Sequence, residues 1–129
     1  MSQLPVTCLV LFVDDLTKLT AFYSHVANMM IRHQDSKHAI LGIDGFELIL
    51  HAIQTESPPN TATSNMTVRE DSYTKLCLPV SDIATTRAKA EALGGAIKSL
   101  EYEWVFQGIR ACDGHDPEGN VIQLRMLAS

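Results

Sequence analysis

The chain has no run of Lys or Arg, no C-x-x-C pair and no apolar stretch long enough to cross a bilayer. With 10 basic residues against 15 acidic ones, the net charge is −5, which argues against nucleic acid or an anionic membrane as a partner. Cysteine is scarce and odd in number. Cys8, Cys77 and Cys112 suit neither a disulfide framework nor a zinc cluster, so reduced thiols in the cytoplasm are expected. The apolar run Leu4 to Val13 has no basic residue before it and is closed by Asp14-Asp15, which predicts a strand rather than a targeting segment or a span.

What is present is material for a core. Of 129 residues, 46% are hydrophobic and 19% charged, the balance of one globular domain that needs no disulfide. Val6 to Val13 is apolar and β-branched, as in a strand covered on both faces. Asp15 is placed to cap a helix whose stripe is Leu16, Leu19, Phe22, Tyr23 and Val26. Ala39 to Ile43 and Phe46 to Ile53 read as strands joined by the hairpin turn Asp44-Gly45. Residues 55–72 are rich in Ser, Thr, Pro and Asn and read as a connector.

Then the pattern restarts. Tyr73 to Val80 reads as a strand, and Asp82 caps a helix carrying Ile83, Thr86, Ala90 and Leu93, ended by Gly94-Gly95. Short strands are expected over Ala96 to Leu100 and Gly108 to Cys112, with Trp104 in the loop between them. The closing stretch turns at Asp116-Pro117 and Gly119, then alternates. Ile122, Leu124 and Met126 fall on one side of that strand and Val121, Gln123 and Arg125 on the other, with Gln123 at its polar centre.

Laid side by side, the halves match. Leu11-Phe12-Val13-Asp14-Asp15-Leu16 corresponds to Leu78-Pro79-Val80-Ser81-Asp82-Ile83, and the strand after Gly45 to the strand after Gly119. Each half reads β-α-β-β-β: module one spans 1–54, the connector 55–72 and module two 73–129. A βαβββ unit leaves one sheet face uncovered, so the expected class is α+β, with curved mixed sheets around a cup.

Two such modules, a V-x-D-[LI] step into each helix, Phe22-Tyr23 on the first and Asp116-Pro117-Glu118-Gly119-Asn120 before the last strand resemble the vicinal oxygen chelate superfamily. That group holds glyoxalase I, bleomycin-resistance proteins, fosfomycin-resistance enzymes and extradiol dioxygenases. The resemblance implies a homodimer, often with modules exchanged between chains. It also implies four metal-binding slots, usually His and Glu, on the first and last strand of each module. Here those slots are Cys8, Ile49, Lys75 and Gln123. An isoleucine has no donor and an ammonium repels a cation, so the set does not suit a divalent metal. A register slipped by two residues puts Glu47 or His51 in place of Ile49, and with Cys8 these are the alternative ligands.

The expected function is therefore metal-free binding of a small molecule, by sequestration or recognition rather than turnover, in the manner of the bleomycin-resistance proteins. Cys8, Val10, Ile49, Lys75, Cys77, Trp104, Val121 and Gln123 are the expected lining. The alternative is a lyase, isomerase or dioxygenase of the same superfamily using a divalent metal at the displaced ligands, and a third reading fills the cup with the protein's own side chains. Lys75 either anchors an anionic ligand or forms an internal pair with Glu47 or a bond to Gln123. Gln123 suits ligand contact and capping of a buried polar group equally. Cys8 reads as a packing residue, and Trp104 as a lid, a stacking platform or an interface residue. Tyr23 reads as core, His51 and His115 as strand-edge and turn residues, and His25, His33 and His38 as solvated.

Overall fold

The computed structural model describes residues 4–53 and 66–128. Its elements are β1 (Thr7–Val13), α1 (Leu16–Val26), β2 (Met30–Gln34), β3 (His38–Ile43), β4 (Phe46–Ala52), β5 (Leu76–Pro79), α2 (Ile83–Ala92), β6 (Ala96–Ile97), β7 (Trp104–Phe106), β8 (Ile109–His115) and β9 (Val121–Leu127). Both expected helix starts are capped by an aspartate side chain: Asp15 accepts from the Lys18 N–H at 3.1 Å and Asp82 from the Thr85 N–H at 2.8 Å. Gly45 and Gly94 sit at φ +80 and +96, where a hairpin and a helix end need a residue without a Cβ.

The two sheets repeat one topology. The first runs β1-β4-β3-β2, and the second β5-β9-β8-β6, with β7 also pairing β8. In each, the first and last strands lie parallel (β1 with β4, β5 with β9), because the helix carries the chain across between them. α1 lies on β3 and β4, α2 on β6 and β9, and the helices touch each other. Leu48, Leu50, Ala39 and Leu41 of the first sheet and Leu78, Ile122 and Leu124 of the second point to this helical layer and are fully or almost fully buried. Leu19, Phe22, Tyr23 and Ile83 meet them there. Each such leucine contributes about 1.5–3 kcal/mol by burial, so the core is the helix-facing side of both sheets.

A polar staple joins the modules. The Asp116 carboxylate, fully buried, accepts the Tyr23 hydroxyl at 2.6 Å, the backbone N–H groups of Glu118 and Asn120 at 2.8 and 3.0 Å, and Asn120 Nδ2 at 2.9 Å. Glu118 reaches back to accept the N–H groups of Asp14 and Asp15 at 2.9 and 2.7 Å. Tyr23 is core, as its spacing implies, and it also has a partner; burial first, then Asp116, push its phenol well above the ordinary range. Burial likewise raises the Glu118 carboxyl.

Several expectations needed correction. β1 is not covered on both faces: it is an edge strand, and Leu9, Val10 and Phe12 are 37%, 44% and 61% exposed. An apolar run alone cannot distinguish a strand between two layers from one whose second cover is missing. β2 went unseen because every side chain in it is exposed and a register shift between Ile31 and His33 breaks its alternation. β5 begins only at Leu76, since Ser72 and Thr74 bond each other in a turn that holds the chain off β9. Only Ala96–Ile97 of the expected 96–100 strand pairs, and Leu100–Tyr102 forms a 3-10 turn. Trp104 opens a strand rather than sitting in a loop, and β8 runs on through Asp113 to His115. Most of the expected connector lies outside the described residues; residues 66–72 carry neither helix nor strand.

Candidate functional site

Register decides which side chains share the helix-free face of the second sheet. Cα partners in neighbouring strands point the same way, so Cys77, Gln123 and Asp113 form one row, and Pro79, Arg125, Ala111 and Trp104 the next. The alternate residues Leu78, Leu124 and Cys112 point into the helical layer. Arg110 shares that helix-side face with Cys112, not the open one.

The middle row is bonded end to end. Lys75 Nζ donates to Asp113 Oδ2 at 3.0 Å, and Gln123 Nε2 donates to Asp113 Oδ1 at 3.1 Å. Arg125 Nε donates to Gln123 Oε1 at 2.6 Å, and the Cys77 thiol lies 3.7 Å from the same oxygen. Gln123, 7% exposed, thus has both ends of its amide fixed. The Lys75 partner is Asp113, neither Glu47 nor Gln123; Glu47 instead pairs with Arg32 at 3.0 Å. Asp113 was missed because the stretch from Asp113 reads as a turn by composition. The observed register is centred on Glu118, and it is this that sets Asp113 opposite Gln123.

A cleft of about 470 Å³ opens at the Lys75 end of this face, between residues 68–75 and the β6–β8 edge. Lys75, Lys98, Asp113, His115 and Val121 are among its lining. His115 is more than a turn residue: it lines the cleft, and its Nδ1 lies 2.9 Å from the Asp116 carbonyl.

The eight residues expected to line one cup are divided. Lys75 and Val121 line the cleft, Cys77, Gln123 and Trp104 lie beside it on the same face, and Cys8, Val10 and Ile49 belong to the first sheet. On that sheet's open face Cys8 is level with Glu47, Val10 with Ile49, and Phe12 with His51 and His38. His33 and His38 lie 2.7 and 3.4 Å from Asp35, whose carboxyl is held far below its usual range first by the His33 contact and then by backbone N–H groups.

The donors do not fit a divalent cation. The four slots hold a thiol, an alkyl group, an ammonium and an amide, and the ammonium already fills its place beside a carboxylate. The slipped register supplies no more than two donors: Glu47, level with Cys8, is paired with Arg32, and His51 lies four residues farther along the same strand, about 13 Å. Among the described residues no group of three or more His, Cys, Asp or Glu side chains could hold a metal ion. Cys112 is no nucleophile: burial raises its thiol, which rests against the Lys98 carbonyl at 3.2 Å.

A mixed α+β chain of two repeated modules, each with a parallel first and last strand and a helix on one face, has the glyoxalase-type fold. The chain belongs to the glyoxalase-like domain family, whose profile matches residues 8–125. Comparison with curated proteins finds no match. Among solved structures, it is similar to a glyoxalase/bleomycin resistance protein/dioxygenase family enzyme from Burkholderia phytofirmans PsJN, with TM-score 0.68 and 14% identity over 94% of this chain and 97% of that one. It also resembles the fosfomycin resistance protein FosX of Listeria monocytogenes, solved with Mn(II) and sulfate, with TM-score 0.66 and 19% identity over 98% and 91%. An integron cassette protein from the mobile metagenome of V. cholerae matches with TM-score 0.63 and 22% identity over 98% and 97%.

Proposed function

We propose that this chain binds a small molecule on the open face of its second sheet without a metal ion, for sequestration or recognition. The observation that carries the reading is the Lys75–Asp113 ion pair at 3.0 Å: Lys75, the residue before β5, stands in one of the four slots that the family resemblance gives to metal ligands and offers an ammonium instead. The cleft beside it has the volume of a small-ligand pocket and mixes polar groups such as Lys75, Asp113 and His115 with apolar Ile97 and Val121. His115 offers a polar group there, and Val121 an apolar wall.

The uncovered faces support a homodimer with exchanged modules. Phe12 on the first sheet is 61% exposed and Trp104 on the second 41%, and the main contact between modules runs through α1 and α2. Setting the first sheet of one protomer against the second sheet of its partner would bring Cys8, Val10 and Ile49 to the same cup as Lys75 and Gln123. Sedimentation should then give twice the chain mass.

Thermal-shift screening against metabolites and antibiotics, with EDTA and with added divalent metals, tests the binding. A ligand is expected to raise Tm by a few degrees equally in both conditions, and the rise should vanish in Lys75→Ala. No stabilisation at millimolar concentration, or stabilisation only with metal, overturns the reading.

A further inference from the structure

We propose that Asp113 is a tethered anion that occupies Lys75 until a small organic oxyanion, a carboxylate or a phosphonate, displaces it. This rests on the binding reading above and names its ligand class and its internal competitor. Charge on the face sets the class. Lys75 and Arg125 are two cations joined through one carboxylate, Asp113, and one neutral amide, Gln123. Lys98 and Glu70, which also line the cleft, offset one another. The charges lining the cleft thus balance while Asp113 stays on Lys75, and Arg125, outside the lining, adds a positive charge on the same face. Among the described residues Arg125 has no ion pair; its only charged-group duty is the Nε bond that fixes Gln123.

The competitor is easily displaced. The Lys75 and Asp113 side chains are 40% and 25% exposed, and pairs open to water to this degree contribute little. An incoming oxyanion replaces one charge-assisted hydrogen bond with another of the same kind at Lys75. Asp113 is not set free by this exchange, because Gln123 Nε2 still donates to its Oδ1. Gln123, oriented by Arg125, therefore holds the displaced carboxylate in reach of Lys75, ready to return. The body of the ligand would lie in the cleft against Val121 and Ile97.

Calorimetry at low salt with benzoate, methylphosphonate and neutral benzamide separates the cases. The wild type should bind at least one of the two anions in preference to benzamide, and the anion that binds tells carboxylate from phosphonate. Asp113→Asn should bind that anion about two- to fivefold more tightly, with Asp113→Ser as a second variant if the first is poorly folded by circular dichroism. Adding Lys75→Met to either should abolish the gain. Wild-type binding with no tightening in the Asp113 variants overturns the competitor role and leaves small-molecule binding standing. Binding of benzamide alone overturns the oxyanion class but not the binding. No binding of any probe by the wild type or either variant, together with an empty library screen, overturns both.

Discussion

Tyr23→Phe isolates the staple between the modules. The ring would keep its edge-on contact with Phe22, centroids 5.1 Å apart, so only a hydroxyl is lost. That hydroxyl donates at 2.6 Å to a carboxylate with no exposure to water and three other donors. A hydrogen bond to a charged group contributes about 1.5–3 kcal/mol, and the remaining donors keep Asp116 from being stranded, so we expect a loss of about 2 kcal/mol. For a chain of this size that lowers Tm by roughly 6–10 °C. Urea denaturation followed by far-UV circular dichroism should show a lower midpoint at unchanged m. A loss below about 0.5 kcal/mol would refute the staple, since the Asp116 carboxylate would then have been satisfied without Tyr23.

Other expectations follow from single positions. Gly119→Ala should destabilise by more than about 1 kcal/mol, because φ there is +84 and a Cβ would run into the Thr67 carbonyl; thermal melts check it. Ellman's reagent should titrate Cys8 and Cys77 in the native protein and reach Cys112 only on unfolding, and rapid reaction of all three thiols would contradict the burial of Cys112. The lowered carboxyls of Asp35 and Asp82 contribute stability that is present above the ordinary carboxylate range and lost as pH falls through and below it. Asp82→Asn should therefore flatten part of the acid limb of a stability–pH curve. Tyr23 acts at the other end. Its unfolded phenol ionises near pH ~10 while the native one stays protonated, so stability should fall above that pH, and less so in Tyr23→Phe.

The repeat and both caps were legible because they rest on local chemistry: an aspartate before an apolar stripe, a glycine after it, a proline turn before an alternating strand. β2 and β7 were illegible for a common reason. All of their side chains are exposed in this chain, so neither carries the inside–outside alternation that marks a strand. The polar face of β9 was read correctly around Gln123, yet its partner Asp113 was not, because cross-strand neighbours depend on register rather than on sequence distance. Nor does the repeat say which sheets share a cup: Cys8 and Ile49 belong to the first sheet and Gln123 to the second. Matching strands in a repeat shows that two faces are alike, not that they face one another.

Calorimetric titration of metal-stripped protein with the anion that stabilises it, repeated with an equivalent of Mn(II), bears most directly on an ammonium doing a cation's work. The expected result is one binding constant in both titrations, weakened by added salt and absent in Lys75→Met. Binding that appears only with the metal, or that survives Lys75→Met unchanged, would contradict it.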